Sequence, residues 1–490
     1  MTVHRMDLYA RLLEDREVLC GLAAQAGARL QIPTELKGLI GTSGASSALP
    51  GSIRQDVLEA MSSVSADFVS PKALGDEIRR LVKSVYGDGY DAAVANSCEA
   101  ALSVAYDALL TPPQLGRGTP YRARCIGLIE RHAEHHLSYG RPFPPRYKEI
   151  FADRGTTAGE FGLGGRRAME TDIVMVPMAG ARYDAHGPKM TPCPLLLETD
   201  SLRAVETLRV AADIHAADLA GFVTLGYDTP GYGYGDKNAH GVPAIQAAVG
   251  ELAQHFGVPY IVDNAWGVPF VGTDPRLVGA DVMLYSMDKV AGGPTSGLIV
   301  GRENAMVNVR RALGVHSERF GPGSAHGKGV YASVDPGRLS LAALVQVLRV
   351  LRDEPERLSG PIDATHRIVL EAYERHANML GPGFLITKSY NLGGVEINYE
   401  RSWSGTDFGL PIFSNEDRIA GAHVLSHMMA RMGVLLIQSE DGNIVLTPGL
   451  GTLDRQGVLR EDRMRHVVEA LFTALGLLRE WADALAPVEA

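Results

Sequence analysis

From about Ala92 to Gly301, short β-branched or apolar runs alternate with stretches of helical periodicity. The runs are Ala92–Ala95, Arg124–Leu128, Ile173–Val176, Gly221–Leu225, Tyr260–Val262, Val282–Tyr285 and Leu298–Val300. Such alternation predicts an α/β unit: a large domain whose mostly parallel, seven-stranded-type sheet is sandwiched by helices. A helix over Pro243–Phe256 leads into the strand that ends at Asp263, and Asp274–Ala280 bridges to the next strand. After Gly337 the pattern changes. A helix is predicted over Arg338–Glu354 and another through about Met379, then strands at Gly394–Tyr399 and Gly442–Thr447 and helices at Glu416–Met432 and Glu461–Ala484. These describe a smaller α+β C-terminal domain. The expected organisation is an N-terminal arm and Gly/Ser-rich loop (1–70, with Gly41–Ser47 as the loop), a large domain (71–337, with an insertion at about 138–194) and the small domain (338–490).

Composition narrows the class. A chain of 490 residues exceeds the size at which one core usually keeps growing, so burial is not limiting. The net charge is −10, with acidic and basic residues interspersed and no long Lys or Arg run, so nucleic acid is not an expected partner. Cys20, Cys98, Cys125 and Cys193 show no paired close spacing, and Met1–Arg11 lacks an apolar signal core. A reducing, cytoplasmic setting is expected. Apolar stretches fall far below the ~20 residues of a membrane span, so no membrane partner is expected either.

The chemistry concentrates where strands end. Ligands of open α/β sheets collect beyond the carboxyl ends of strands, and Asp263 and Ser286 both fall there. Lys289 follows in Ser286-Met287-Asp288-Lys289, just before the small-residue run Gly292-Gly293-Pro294-Thr295-Ser296-Gly297. A lysine tucked beside such residues is desolvated, which lowers its pKa and frees the amine. A strand-end carboxylate is costly to bury unless a cation matches it. An aldehyde cofactor held by an amine, with a protonated ring nitrogen facing a buried carboxylate, satisfies both, so Lys289 and Asp263 read as a pyridoxal 5′-phosphate site. Ala92–Ala100 reads as strand, turn and helix with Ser97 as N-cap. The free N–H groups there, with Ser97 and the Cys98 amide, make a phosphate seat, although an ordinary capped helix has the same pattern. In Glu130–His136, His135 is placed to lie flat on the ring or to move a proton, against the alternative of a surface histidine. Asp228 ends another strand, where it faces the ring's phenolic oxygen or caps the turn before Pro230.

These residues resemble the fold-type I pyridoxal-phosphate superfamily, that of the aspartate aminotransferase fold, over about Ala92 to Gly301. Asp288–Gly301 looks like the lysine segment of bacterial selenocysteine synthase, and Glu134-His135-His136 like the ring-stacking segment of cysteine desulfurases. The resemblance implies that Lys289 forms the internal aldimine, Asp263 meets the pyridine nitrogen and His135 stacks. It also implies that Ser97, Cys98 and Ser286 hold the phosphate. Thr295 would reach a neighbouring subunit's phosphate, making the working unit a homodimer or larger. The departures bear on the reaction. No cysteine follows Cys193, which argues against sulfur transfer in the manner of desulfurases. Gly393–Thr447 is similar to tryptophanase-type β-eliminating lyases, but Val445 stands where their carboxylate-binding arginine precedes Leu-Thr, leaving Arg401, Arg431 and Arg455 as substitutes.

Ser138–Pro194 is a Pro/Gly-rich excursion carrying Arg141, Arg146, Lys148, Arg154, Arg166, Arg167, Arg182 and Lys189. Long loops of this kind are lids or solvated flaps. As a lid it would suit an anionic or nucleotide-bearing amino acid. The expected function is a pyridoxal-phosphate enzyme acting on an amino-acid-type small molecule through an external aldimine and Cα carbanion, with β- or γ-elimination or replacement following. The alternatives are an aminotransferase using the same residues and a pyridoxal-binding regulator or inactive scaffold. A Rossmann dehydrogenase is disfavoured, because no Gly-x-Gly-x-x-Gly turn follows the first strand.

Overall fold

The computed structural model describes residues 15–110, 124–129, 189–194, 201–313, 332–399, 424–435, 438–440 and 443–485, with Leu8, Arg11, Leu12 and Ser402 and without 48, 218 and 231–233. Seven strands form the central sheet: β1 (Tyr90–Ala95), β2 (Arg124–Ile129), β3 (Lys189–Pro194), β4 (Leu219–Leu225), β5 (Tyr260–Asp263), β6 (Val282–Ser286) and β7 (Gly297–Arg302). Their spatial order is β1-β7-β6-β5-β4-β2-β3. Only β7 runs antiparallel to its neighbours, so the expected α/β architecture with a mostly parallel sheet is present. The end of the expected insertion differs from the sequence reading. Lys189–Pro194 is not loop but the edge strand, pairing Gly127 with Pro192 and Ile129 with Pro194. Proline cannot donate to a ladder, and an edge strand has one side that needs no donors. The strand expected at Ile173–Val176 lies outside the described residues.

Helices cover both faces. α1 spans Arg16–Arg29, α2 Gln55–Ala66, α3 Pro71–Tyr86, α4 Cys98–Leu109 and α5 Ala244–Phe256. α3 shows how the local sequence sets an element. Ser70 Oγ accepts from the Ala73 amide at 3.1 Å, Pro71 supplies the first-turn φ, and Gly87, at φ 90°, ends the helix. Leu74, Ile78, Leu81 and Val82 then form one buried stripe. α6 (Gly337–Asp353) packs against α2 and α3, and its Leu341, Leu344 and Leu348 join the core on that face of the sheet. On the other face Leu102, Val104 and Tyr106 of α4 meet Ile261, Leu284 and Ile299.

A second core lies in the C-terminal part. α7 (Glu356–Leu380), α8 (Val424–Met432) and α9 (Glu461–Ala484) cover an antiparallel sheet of β8 (Leu385–Ser389), β9 (Gly394–Asn398), β10 (Gln438–Glu440) and β11 (Asn443–Leu446), in the order β10-β11-β9-β8. α1 belongs to this core, since its Leu19, Leu22, Ala23 and Ala26 pack there. Arg29 also makes a two-pronged ion pair with Glu480, at 3.0 and 2.8 Å. No helix among the described residues is long and apolar enough to cross a membrane.

Candidate active site

The carboxyl ends of β4, β5 and β6 lie side by side. Leu225 pairs with Asp263, and Asp263 with Leu284. Asp263 is only 2% exposed at the last position of its strand. The next residue fixes its backbone: the Gly226 amide donates to Asp263 O at 2.8 Å, and the Asn264 amide to Leu284 O at 2.9 Å. Asn264 fills a slot that two glycines leave open. A Cβ at Gly226 would come within 2.2 Å of Asn264 Oδ1, and one at Gly267 within 2.4 Å of the same amide group. Asn264 Nδ2 donates to Asn391 Oδ1 at 3.1 Å, which ties the end of β5 to the C-terminal part.

Lys289 sits in the loop that joins β6 to β7. That loop is closed by its own backbone, with Met287 N to Ser296 O at 2.9 Å, Gly293 N to Met287 O at 2.6 Å and Gly292 N to Lys289 O at 3.0 Å. Gly292 takes φ 72°, which only glycine adopts without strain. Lys289 is half-buried, and its Nζ lies 5.6 Å from the centre of the Trp266 ring, within cation–π range. Trp266 in turn leans on Tyr227, with ring centres 5.2 Å apart.

The residues expected to seat a phosphate lie close to one another. Ser97 caps α4 by accepting from the Ala100 amide at 3.0 Å, and buried Cys98 begins the helix. Ser286 is the register partner of Gly297, and Gly297 is pressed onto that helix end. A Cβ there would stand 2.4 Å from Ser97 O and 2.8 Å from Cys98 Cα. The close approach therefore brings Ser97, Cys98 and Ser286 together. Ser286 Oγ donates to Asp288 Oδ1 at 2.6 Å, a hydrogen that must turn from that carboxylate before the hydroxyl can donate to a phosphate. Thr295 is exposed on the same loop.

Asp228 has partners of its own. Its carboxylate is taken up by Lys237 Nζ at 3.1 Å and by the Ser389 hydroxyl. It forms part of the wall of a cavity of about 260 Å³, with His240, Thr273, Asp274, Tyr390 and Asn391, at the junction with the C-terminal part. His135 lies outside the described residues, as does Arg401. Arg431 and Arg455 are exposed.

The Gly/Ser-rich loop, which on sequence grounds could either border the site or act as a flexible linker, leads into chain that meets the lysine loop. Thr42 and Ser43 of the Gly/Ser-rich loop are 3% exposed, and the chain that follows them crosses the lysine loop. Gly51 N donates to Asp288 O at 2.7 Å, and a Cβ on Gly51 would come within 2.0 Å of Lys289 O. Ser43 O accepts from Thr447 Oγ1 at 2.5 Å, and Ser43 Oγ from the Leu450 amide at 2.6 Å, so the cover is bolted to the end of β11. Composition alone does not separate such a segment from a linker.

Comparison with known proteins places this geometry. No family profile matches the chain. Along its whole length it is similar to ureidoglycine–glyoxylate aminotransferase from Bacillus subtilis, with a TM-score of 0.51 at 11% identity over 94% of this chain and 96% of that one. It is likewise similar to pyridoxamine–pyruvate aminotransferase from Mesorhizobium loti, with a TM-score of 0.51 at 14% identity over 94% and 96%. The chain has the aminotransferase fold. That is the architecture implied by the resemblance over about Ala92 to Gly301. In sequence, an L-seryl-tRNA(Sec) selenium transferase from Solidesulfovibrio magneticus is 32% identical over 127 residues, which are 24% of this chain and 23% of that protein. The match spans under a quarter of the relative.

Proposed function

We propose that the protein is a pyridoxal-phosphate-dependent enzyme that transforms amino-acid-type substrates by β- or γ-elimination or replacement. The observation that carries the reading is the pairing of Asp263, 2% exposed at a strand end, with Lys289, presented from the loop of the adjacent strand. The residues fit such a cofactor. They offer a buried carboxylate for a ring cation, a half-buried amine, and a capped helix end against which Gly297 leaves no room for a side chain.

When bound, the cofactor supplies an aldehyde that takes up an amine and a ring that draws electrons from the substrate Cα. Lys289 Nζ would hold the aldehyde and, once released from it, would be the base for the Cα proton. Asp263 keeps the proton on the ring nitrogen, because a buried carboxylate gains most from a cation placed against it. Ser97, the Cys98 amide and Ser286 would receive the phosphate at the start of α4, where the helix dipole favours an anion. His135, outside the described residues, would be the group that stacks on the ring, and Thr295 would reach the phosphate held by a second copy, which would make the working unit a homodimer or larger. The 42–54 segment keeps water from the Lys289 side of the site.

The test is to add a panel of amino acids to the purified protein, follow its visible spectrum and identify products by mass spectrometry. Release of a β or γ substituent, or its exchange for an added nucleophile, is the expected outcome. Stoichiometric keto acid with pyridoxamine phosphate would instead make it an aminotransferase, and no spectral response to any amino acid would remove the enzymatic reading.

A further inference from the structure

Arg54 stands where a cation is least welcome. It is the residue before the first turn of α2, the positive end of that helix, and it is 3% exposed. Its side chain lines a cavity of about 20 Å³ with Ser52, Val290, Arg357, Pro361 and Pro448. One carboxylate serves both arginines. Asp56 Oδ1 accepts from Arg54 Nε at 3.3 Å, while Oδ2 accepts from Gln346 Nε2 at 3.1 Å and lies 3.5 Å from Arg357 Nη1. Arg357 is further held by Gln456 O at 3.3 Å and by the exposed Glu354 at 3.9 Å. Arg54 Nη2 is buried with no acceptor among the described residues. Burial depresses the Arg54 pKa below its ordinary value, and the Arg357 charge adds to this against the pull of Asp56. A buried guanidinium nitrogen without an acceptor, beside a second guanidinium, is a costly arrangement unless an anion completes it.

We propose that this cavity is a subsite for one small, singly charged anion, bound by Arg54 Nη2 beside Arg357. Glu354 is exposed and reaches only Arg357, at 3.9 Å, so Arg54 Nη2 is the group left without an acceptor among the described residues, and one negative charge matches it. Size favours a small ion: about 20 Å³ is on the order of the ~10–15 Å³ that one water needs, which suits a halide or the end of a carboxylate. Position gives the subsite a consequence. Ser52 O stands where a Cβ on Gly292 would meet it at 2.8 Å, and Val290 directly follows Lys289. An anion here therefore ties the cover segment to the lysine loop and to α7. The ion could be free halide or formate, or the carboxylate end of the substrate; only the second source rests on the function proposed above.

The experiment reads binding, not turnover. Thermal unfolding of the full chain at constant ionic strength is expected to show a saturable rise in midpoint with chloride, bromide or formate and none with sulfate. Arg54→Gln and Arg357→Gln should each remove the saturable part; the half-exposed Arg357 position keeps the test alive if the Arg54 variant does not fold. Crystals soaked in bromide should give an anomalous peak within hydrogen-bond distance of Arg54 Nη2. Displacement of that peak by an amino acid identifies the substrate carboxylate as the occupant, and its persistence identifies a free ion. No peak at bromide levels that saturate the shift, or a shift unchanged in both variants, overturns the proposal, whatever reaction the protein catalyses.

Discussion

The places of Asp263 and Lys289 in the fold were legible in the sequence because each is set by local pattern: a carboxylate closing an apolar run, and a lysine in a turn followed by a run of small residues. Asp228 closes a similar run, yet its carboxylate goes to Lys237 and to Ser389, 161 residues away, a pairing no local pattern reveals. Arg54 was equally hidden, since its burial depends on α6, α7 and the 448–457 turn meeting over it. At this scale two outcomes are expected. Lys289→Ala should lower turnover by ~10²–10⁴-fold or more, the range that one positioned proton-transfer group supplies. Its visible cofactor band should be lost while circular dichroism stays unchanged. Gly51→Ala places a methyl 2.0 Å from Lys289 O, so the backbone must move; a loss of ~1–3 kcal/mol in denaturant unfolding is expected, with weaker cofactor retention.

Among the elements, most strands and helices sit within a few residues of where periodicity puts them, because their caps and apolar stripes are local. Helix α9 spans Glu461–Ala484 as expected, whereas β3 escaped notice because Pro192 and Pro194 are ordinary strand breakers that an edge position tolerates. α4 tests the value of a cap. Ser97→Ala removes the acceptor for the Ala100 amide and should cost ~1 kcal/mol in thermal unfolding, with a further fall in phosphate-dependent cofactor affinity. α7 and α9 are laced by charge, with Arg367 on Glu461 at 2.6 Å, Arg465 on Glu371 at 2.6 Å, and Glu469 between Arg375 and His376. Burial alone would raise the Glu469 pKa, but hydrogen bonds from Arg375 and His376 and their charges hold it below 4.5. A depressed folded-state pKa gives stability that is present above 4.5 and lost as pH falls below it. Glu469→Gln should therefore be less stable than the parent at neutral pH, and the gap should close in acid. A gap that stays constant with pH would contradict the assignment.

For the molecule as a whole, two cores are joined by segments that cross between them. α1 is packed with the C-terminal helices although it lies near the start of the sequence, and the stretch after it runs over the lysine loop before entering the other core as α2. The α/β class was readable from alternation; this crossing was not, because nothing in the composition of 41–47 distinguishes a buried cover from a tether. Deleting the residues up to Gly51 should expose the Leu19–Ala26 stripe's partners and uncover Lys289, giving a protein that associates on size-exclusion chromatography and retains its cofactor poorly. The claim beneath all of this is that one amine, Lys289, holds pyridoxal phosphate opposite Asp263. Borohydride reduction of the protein purified with ample cofactor, followed by peptide mapping, tests it most directly. A single pyridoxyl group on the Lys289 peptide is predicted; an unmodified Lys289 peptide, or the label on another lysine, would contradict it.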